Sequence, residues 1–277
     1  MLSHTNLWSS SIVVTAEMGL NIAGERYLHA APMFHLADVG VSYAMVIGGL
    51  SQVFVPYFEA TSVIETIEDK QVNHVLLVPT MVTMMLATPA LENANFSSLK
   101  HIIYGASPMP EGTLITAMEK MSSVKFIQAY GQSELSPVIS ILPAQYHVLE
   151  GPNAGKLRSA GRPAYCVSVE IRDENGRVLP VGKVGEIVAS GPNSMLGYWN
   201  NSEQTAATLI DGWVMTGDAG YMDEDGFIFL VDRLKDMIVT GGENVFSAEV
   251  ENALSHHPAI QESVVLGIPS KQWGEAV

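Results

Sequence analysis

A run near the middle of the chain, Gln128-Ala129-Tyr130-Gly131-Gln132-Ser133-Glu134, combines the residue types that a nucleotide site needs. A glycine lets the backbone approach a ligand, and a tyrosine ring offers a stacking face for a base. A hydroxyl followed by a carboxylate can hold a hard cation or a phosphate. The same run also suits an ordinary loop whose serine caps a helix. Further on, Thr216-Gly217-Asp218 lies between Trp213 and Tyr221. There a carboxylate at the end of a strand can accept both hydroxyls of a ribose. A turn aspartate that satisfies nearby backbone amides has the same local pattern. Asp232-Arg233-Leu234-Lys235-Asp236 is followed by Thr240-Gly241-Gly242-Glu243-Asn244. A charged pivot before a double glycine suits a rotating linker, and Arg233 carries several donors for sugar or phosphate oxygens. A solvated charge cluster ahead of a turn fits that spacing as well. His35 is placed either to cap a helix or to touch a ligand.

Placing these segments requires a scaffold. From Asn6 to about Lys125, short apolar runs alternate with segments of helical period. The expected strands are Tyr27 to Ala31, Gln52 to Val55, His74 to Val78, His101 to Tyr104 and Lys125 to Gln128. The expected helices are Asn6 to Met18, Ala37 to Ile47, Ala60 to Asp69, Pro79 to Ala87 and Pro110 to Met121. This alternation predicts an α/β fold, a parallel sheet with helices on both faces. Ligands in such sheets gather beyond the carboxyl ends of the strands, so the loops after Ala31, Tyr104 and Gln128 are the places for a site. After about Gly151 the pattern changes to short alternating strands, Val167 to Ile171, Val184 to Ala189 and Gly226 to Val231, with turns at Asp173-Glu174-Asn175-Gly176 and Asp223-Glu224-Asp225-Gly226. A mostly β subregion is expected there. The beginning of a small α+β C-terminal domain follows, with a helix from Ser247 to Ser255 and a strand from Ser263 to Gly267. The expected boundaries are 1–232 for a partial large domain (1–150 α/β, 151–232 β-rich), 233–236 for a hinge and 237–277 for an incomplete small domain.

Composition narrows the function classes. A hydrophobic content of 47% over 277 residues supplies a core for one large domain or somewhat more. The formal charge of −15 has the wrong sign for neutralising a nucleic-acid backbone, so any anionic ligand must be held by a few placed donors. The single cysteine, Cys166, can form no internal disulfide and reads as a thiol beside a strand. Its rarity suits a reducing compartment, and no basic segment followed by an apolar run marks export, so a cytoplasmic location is expected. Val39 to Phe58 and Gln71 to Leu91 are long enough to span a bilayer, but Gly48-Gly49 and Pro56 interrupt the first and Pro79 and Pro89 the second. Both read as buried helix and strand pieces, which leaves peripheral membrane contact open. Met81, Met84 and Met85 read as core packing.

Taken in order, Ala31-Pro32-Met33-Phe34-His35, Tyr104-Gly105-Ala106-Ser107-Pro108, Tyr130-Gly131-Gln132-Ser133-Glu134, Thr216-Gly217-Asp218, Asp232-Arg233-Leu234-Lys235 and Gly241-Gly242-Glu243-Asn244 resemble the motifs of the adenylate-forming enzymes. The resemblance covers essentially the whole chain. The stretch Lys235 to Val245 looks most like the fatty-acyl and aryl CoA ligase branches. That resemblance implies a two-step ligase using ATP, Mg²⁺ and coenzyme A. A carboxylate attacks the α-phosphate of ATP to give an acyl adenylate and pyrophosphate; after a domain rotation, the CoA thiolate displaces AMP. It further implies that Gly105, Ala106 and Ser107 border the adenine and acyl groups, and that Gln128, Ala129, Tyr130 and Gly131 frame the base. Ser133 would meet phosphate and Glu134 would hold Mg²⁺. Asp218 and Arg233 would take the ribose, Lys235 would be the hinge, and Gly241, Gly242 and Asn244 would lie along the cofactor path. His35 would gate an acyl pocket lined by Ala37, Val41, Gly131, Pro137 and Val138, roomy enough for a medium- or long-chain fatty acid or an aryl acid.

The family's glycine-, serine- and threonine-rich phosphate loop is expected ahead of the helix that starts near His4, and its transition-state lysine beyond Val277. Such loops hold phosphates through backbone amides, and losing a cation aimed at developing charge costs on the order of 10²-fold to 10³-fold. The sequence thus predicts weak ATP binding, little turnover by this chain alone, and exposed edges that a complementing chain or a second copy would cover. A noncatalytic nucleotide or acyl binder, and an enzyme that loads a carrier protein instead of CoA, are the alternatives.

Overall fold

The computed structural model describes residues 1–277 except His256, Pro258, Gln261 and Glu262; of residues 244 and 255 it describes only the backbone. The first sheet is built from β1 (Arg26–His29), β2 (Ser51–Phe54), β3 (His74–Leu77), β4 (His101–Gly105), β5 (Lys125–Gly131), β6 (Val138–Leu142) and β7 (Arg162–Pro163). Their spatial order is β2-β1-β3-β4-β5-β6-β7, parallel through β5 and antiparallel for the last two. The sequence reading did not foresee the antiparallel return, and the sheet extends past residue 150 because Arg162–Pro163 pairs with Ser140 and Ile141. All four residues of β3 are buried, as expected of a strand covered on both faces.

Five helices connect or flank these strands: α1 (His4–Glu17), α2 (Leu36–Gly48), α3 (Ala60–Asp69), α4 (Pro79–Ala87) and α5 (Glu111–Lys120). In α3, Ala60, Val63, Ile64 and Ile67 are buried at the i, i+3, i+4, i+7 spacing of one helical face. Pro79 starts α4, where its missing N–H costs nothing. The chain runs one way from β1 to β2 and then back past β1 to β3, β4 and β5. Right-handed crossovers put α2 on one face and α3, α4 and α5 on the other. Accordingly, α2 packs against α1, while α3 packs on α4 and α4 on α5. The connections after β1 and β3 leave in opposite directions, which opens a crevice at the carboxyl end of the sheet.

The second sheet is antiparallel and contains β8 (Ser168–Arg172), β9 (Gly185–Ser190), β10 (Leu209–Ile210), β11 (Trp213–Met222) and β12 (Ile228–Arg233), with α6 (Ser202–Thr208) leading into β10. A second apolar core joins Tyr130, Leu135 and Ile139 from the end of the first sheet to Ile171, Ile187, Val214 and Ile228 of the second. The two sheets therefore meet at the loop that follows β5. A third small sheet has the order β14-β13-β16-β15, made from β13 (Ile238–Thr240), β14 (Glu243–Val245), β15 (Ile268–Ser270) and β16 (Gly274–Ala276), and α7 (Ser247–Ser255) leads out of β14.

The strand expected at Ser263 to Gly267 is not a strand. Its backbone is claimed by another partner: the Val265 N–H donates to the Glu251 carboxylate of α7 at 2.8 Å, and the ladder begins only at Ile268. Val264 and Leu266 are exposed. Cys166 is exposed with φ at +64°, in the turn ahead of β8. Among the described residues no helix is long and apolar enough to cross a membrane. Trp8 and Ile12 on α1, Tyr43, Val46 and Ile47 on α2, and Phe54 and Tyr57 at the β2 edge are all exposed.

Candidate functional site

The segments singled out in the sequence converge where the carboxyl ends of β4 and β5 meet the edge of the second sheet. Gly105 and Ala129 are register partners on adjacent strands, so the Tyr104 and Gln128 segments lie side by side. A Cβ on Gly105 would sit 2.1 Å from the Ala129 carbonyl oxygen, and one on Gly131 would sit 1.7 Å from that of Pro137. Only glycine permits either approach. Ala106, with φ at +67°, turns the chain out of β4, leaving Ala106 and Ser107 exposed at the rim.

Tyr130 is buried, and its hydroxyl donates to Asp218 Oδ2 at 2.7 Å across 88 positions of sequence. Asp218 on β11 is the register partner of Arg233 on β12, whose Nε lies 3.7 Å from Asp218 Oδ1. Thr216 fixes the turn by donating to the Ile187 carbonyl at 2.6 Å while its Oγ1 accepts from the Asp218 N–H at 3.1 Å. Burial raises the Asp218 pKa against the opposing pull of the Tyr130 hydroxyl and the Arg233 charge. Burial, then the Asp218 charge, pushes the Tyr130 phenol well above its ordinary range, so it stays a donor. A carboxylate held by one tyrosine, with an arginine beyond hydrogen-bond reach, keeps acceptor capacity for vicinal hydroxyls.

Beneath this corner, the Tyr104 hydroxyl lies 3.0 Å from His147 Nε2 and 3.4 Å from Gln128 Oε1. Burial holds the His147 imidazole down at about 4, so it is neutral near pH 7.

Glu134 lies in a 3-10 turn, Ser133–Leu135, just after β5. Its Oε1 accepts a hydrogen bond from the Tyr198 hydroxyl at 2.7 Å, and its carboxylate accepts no other among the described residues. Ser133 is exposed beside it. No group of three His, Cys, Asp or Glu among the described residues could hold a metal ion. One free carboxylate oxygen fits Mg²⁺ only in its usual nucleotide-bound form, where phosphate oxygens and water supply the remaining ligands. The chemistry such an ion supplies is neutralisation of phosphate charge.

The other predicted residues are spread around this centre. His35 is exposed and caps α2: its Nδ1 accepts from the Ala37 N–H at 3.1 Å. Gly40 of the same helix lies so close to Pro137 that a Cβ there would be 3.1 Å from Pro137 Cδ, which ties α2 to the segment after Glu134. Val41 and Val138 are closed within the main core, while Ala37 and Pro137 are half-buried. Lys235 is exposed in the turn after β12, where the Asp236 N–H donates to the Arg233 carbonyl. Asp232 Oδ2 accepts from the Ser247 N–H at 2.6 Å and Oγ at 2.8 Å, so the end of β12 is tied to the start of α7. Gly241 and Gly242 turn between β13 and β14 with φ at +60° and +88°, and Gly241 rests on the Trp273 ring. The backbone of Asn244 is in β14, and its side chain lies outside the described residues.

Sequence reading did not single out Tyr198 or Asn193. Asn193 is buried, and its Nδ2 donates to the Leu135 and Val138 carbonyls at 2.8 Å each. The only local signal was the run Gly197-Tyr198-Trp199-Asn200, with nothing to connect it to a residue 64 positions earlier.

Comparison with known proteins identifies the family. Residues 1–199 match the family described as AMP-binding enzyme. A feruloyl-CoA synthase of an Amycolatopsis species is 38% identical over 276 residues, covering 99% of this chain and 54% of the relative. The fatty acid–[acyl-carrier-protein] ligase ScoC of Streptomyces coeruleorubidus is 38% identical over 254 residues, covering 92% of this chain and 48% of the relative. Among solved structures, the amide bond synthetase McbA from Marinactinospora thermotolerans matches with a TM-score of 0.90 and 34% identity, covering 99% of this chain and 55% of that one. The o-succinylbenzoate coenzyme A synthetase of Bacillus subtilis, in complex with ATP and magnesium ion, matches with a TM-score of 0.85 and 31% identity, covering 98% and 55%. The chain spans about half the length of the curated relatives it matches. On these grounds the chain belongs to the AMP-binding enzyme family of adenylate-forming proteins.

Proposed function

We propose that the whole protein is an ATP-dependent carboxylic acid:CoA ligase and that this chain carries its adenylate pocket. The observation that supports this most is the Tyr130–Asp218–Arg233 corner, a half-buried carboxylate that keeps acceptor capacity beside the loop of β5. In this reading Asp218 and Arg233 take the ribose hydroxyls, and Gly105, Ala106, Ser107, Gln128, Ala129, Tyr130 and Gly131 border the adenine. Ser133 meets phosphate and Glu134 takes part in Mg²⁺ binding. In the first step a substrate carboxylate oxygen bonds to the α-phosphorus and pyrophosphate leaves. In the second, the CoA sulfur bonds to the acyl carbon and AMP leaves.

Residues 237–277, with a sheet of their own, form the start of a small domain that pivots near Lys235 and offers Gly241, Gly242 and Asn244 to CoA. His35 gates the acyl pocket from the head of α2, with Ala37 and Pro137 along one wall and Val41 and Val138 packed in the core behind them. The similarity to a feruloyl-CoA synthase favours an aryl acid, and the fatty-acid relative keeps medium- and long-chain acids as candidates. The exposed faces of α1, α2 and β2 receive further protein, from the same polypeptide, a complementing chain or a second copy. The compartment is cytoplasmic.

Acid-dependent exchange of pyrophosphate into ATP by the whole protein, followed by thioester formation with free CoA, is the test. Exchange with no acid from an aryl and fatty panel sinks the ligase reading. Exchange with transfer to a phosphopantetheinyl protein, and none to CoA, makes it a carrier-loading enzyme, a reading that the similarity to an acyl-carrier-protein ligase supports.

A further inference from the structure

Glu134 is held at two points by the loop between β9 and α6. Its backbone carbonyl accepts from the Met195 N–H at 2.8 Å, and its side chain accepts from the Tyr198 hydroxyl at 2.7 Å. The segment is itself braced on both sides. Asn193 donates to the carbonyls on either side of the turn after Glu134, and Ser136 Oγ donates to the Asn193 carbonyl at 2.8 Å. On the other flank, Asn6 Nδ2 donates to the Pro192 and Ser194 carbonyls at 2.8 Å each. The Tyr198 N–H donates to Thr205 Oγ1 at 2.9 Å, which anchors the tyrosine to α6. Gly197 allows this closeness, since a Cβ there would lie 2.7 Å from the Thr205 methyl. Burial, then the neighbouring carboxylate, raises the Tyr198 phenol above its ordinary range, so it remains a donor at neutral pH.

We propose that Tyr198 is a positioning residue for cation binding: its hydroxyl fixes Oε1 of Glu134 and thereby presents Oε2 as the one protein oxygen offered to a nucleotide-bound divalent ion. The inference rests on the reading of Glu134 given above. A carboxylate with a single protein contact on one oxygen loses its orientation when that contact is removed, and outer-shell partners of this kind change metal affinity by about 10-fold to 100-fold. AMP, which needs no divalent ion to bind, does not depend on this contact.

The test is calorimetric titration of the full chain with ATP at a series of Mg²⁺ concentrations and with AMP without Mg²⁺, for the native protein, Tyr198→Phe and Glu134→Gln. Tyr198→Phe is expected to raise the Mg²⁺ concentration that gives half the ATP enhancement by about 10-fold or more, with AMP affinity and melting temperature unchanged. Native Mg²⁺ dependence in Tyr198→Phe overturns the assignment while leaving Glu134 as the ligand. Loss of AMP affinity together with Mg²⁺ dependence also overturns it, because the hydroxyl would then be holding the loop and not the carboxylate. Native ATP binding that is indifferent both to Mg²⁺ and to Glu134→Gln removes the reading of Glu134, and this inference with it.

Discussion

The two ends of the first sheet treat their polar groups in opposite ways. At the amino end, Glu25 precedes β1, His74 opens β3, Lys100 precedes β4 and His101 opens it. Glu25 Oε2 lies 2.6 Å from His74 Nε2, Lys100 pairs with the other Glu25 oxygen, and the His74 and His101 rings stack with Nδ1 atoms 3.2 Å apart. Glu25 and His74 are both buried. Burial pushes Glu25 up, but Lys100 and His74 overcome it and hold its carboxyl below the ordinary value. At the carboxyl end, Asp218 is half-buried with a tyrosine and an arginine near it, yet desolvation prevails and its pKa is raised. The first cluster is satisfied by its own members. The second keeps a carboxylate whose partners fall short, the condition expected of a group held ready for a ligand at some expense to the free protein.

Substitutions can break this contrast, beginning with the largest effect. Gly131→Ala drives a methyl group into the Pro137 carbonyl and should cost about 3 kcal/mol or more. It should also remove AMP binding, and chemical denaturation alongside AMP titration reads both. Glu25→Ala leaves the fully buried His74 and the neighbouring Lys100 without their carboxylate and should cost about 2 to 4 kcal/mol. AMP affinity should not move in that variant. A fall in AMP affinity would mean that the two ends are not independent.

Acid should expose both ends at once. Burial lowers His101 and His147 from 6.5 to about 4, with the His74 charge adding to the effect on His101. The folded protein thus binds fewer protons than the unfolded chain between these values. Stability is full above pH 6.5, falls as pH drops toward 4, and loses up to about 3 kcal/mol through His147. Glu25, whose folded pKa lies below 4.5, adds a further loss as pH falls through and below that value. Denaturation midpoints between pH 8 and pH 4, as a design range of about 4 pH units, should slope downward in acid. His147→Gln should flatten part of that slope. The smallest effect carries the opposite sign: Asp218→Asn removes a half-buried charge whose pKa is raised and should stabilise the unliganded protein by about 1 kcal/mol while removing AMP binding.

Much of this was legible in the residues. Apolar runs such as His74–Leu77 and the one-sided burial of Ala60–Asp69 follow from periodicity, because burial on two faces or one leaves a repeating pattern. The Tyr130 and Asp218 segments were each visible as motifs, but their 2.7 Å contact spans 88 positions, and no local pattern encodes a pairing between different sheets. Tyr198 was missed for the same reason. The strand expected at Ser263 to Gly267 fails because an apolar run does not by itself supply a ladder partner, and Glu251 captures the Val265 N–H. His35 carries out the capping role open to any histidine at a helix start, a contact visible only once the helix boundary is fixed.

The central claim is that Asp218 anchors an adenylate. Titration of the folded chain with AMP, comparing the native protein with Asp218→Ala and with Glu25→Ala as a control at the opposite end of the sheet, tests it directly. The account predicts saturable one-site binding that disappears in Asp218→Ala and persists in Glu25→Ala. Native-like AMP affinity in Asp218→Ala would contradict it.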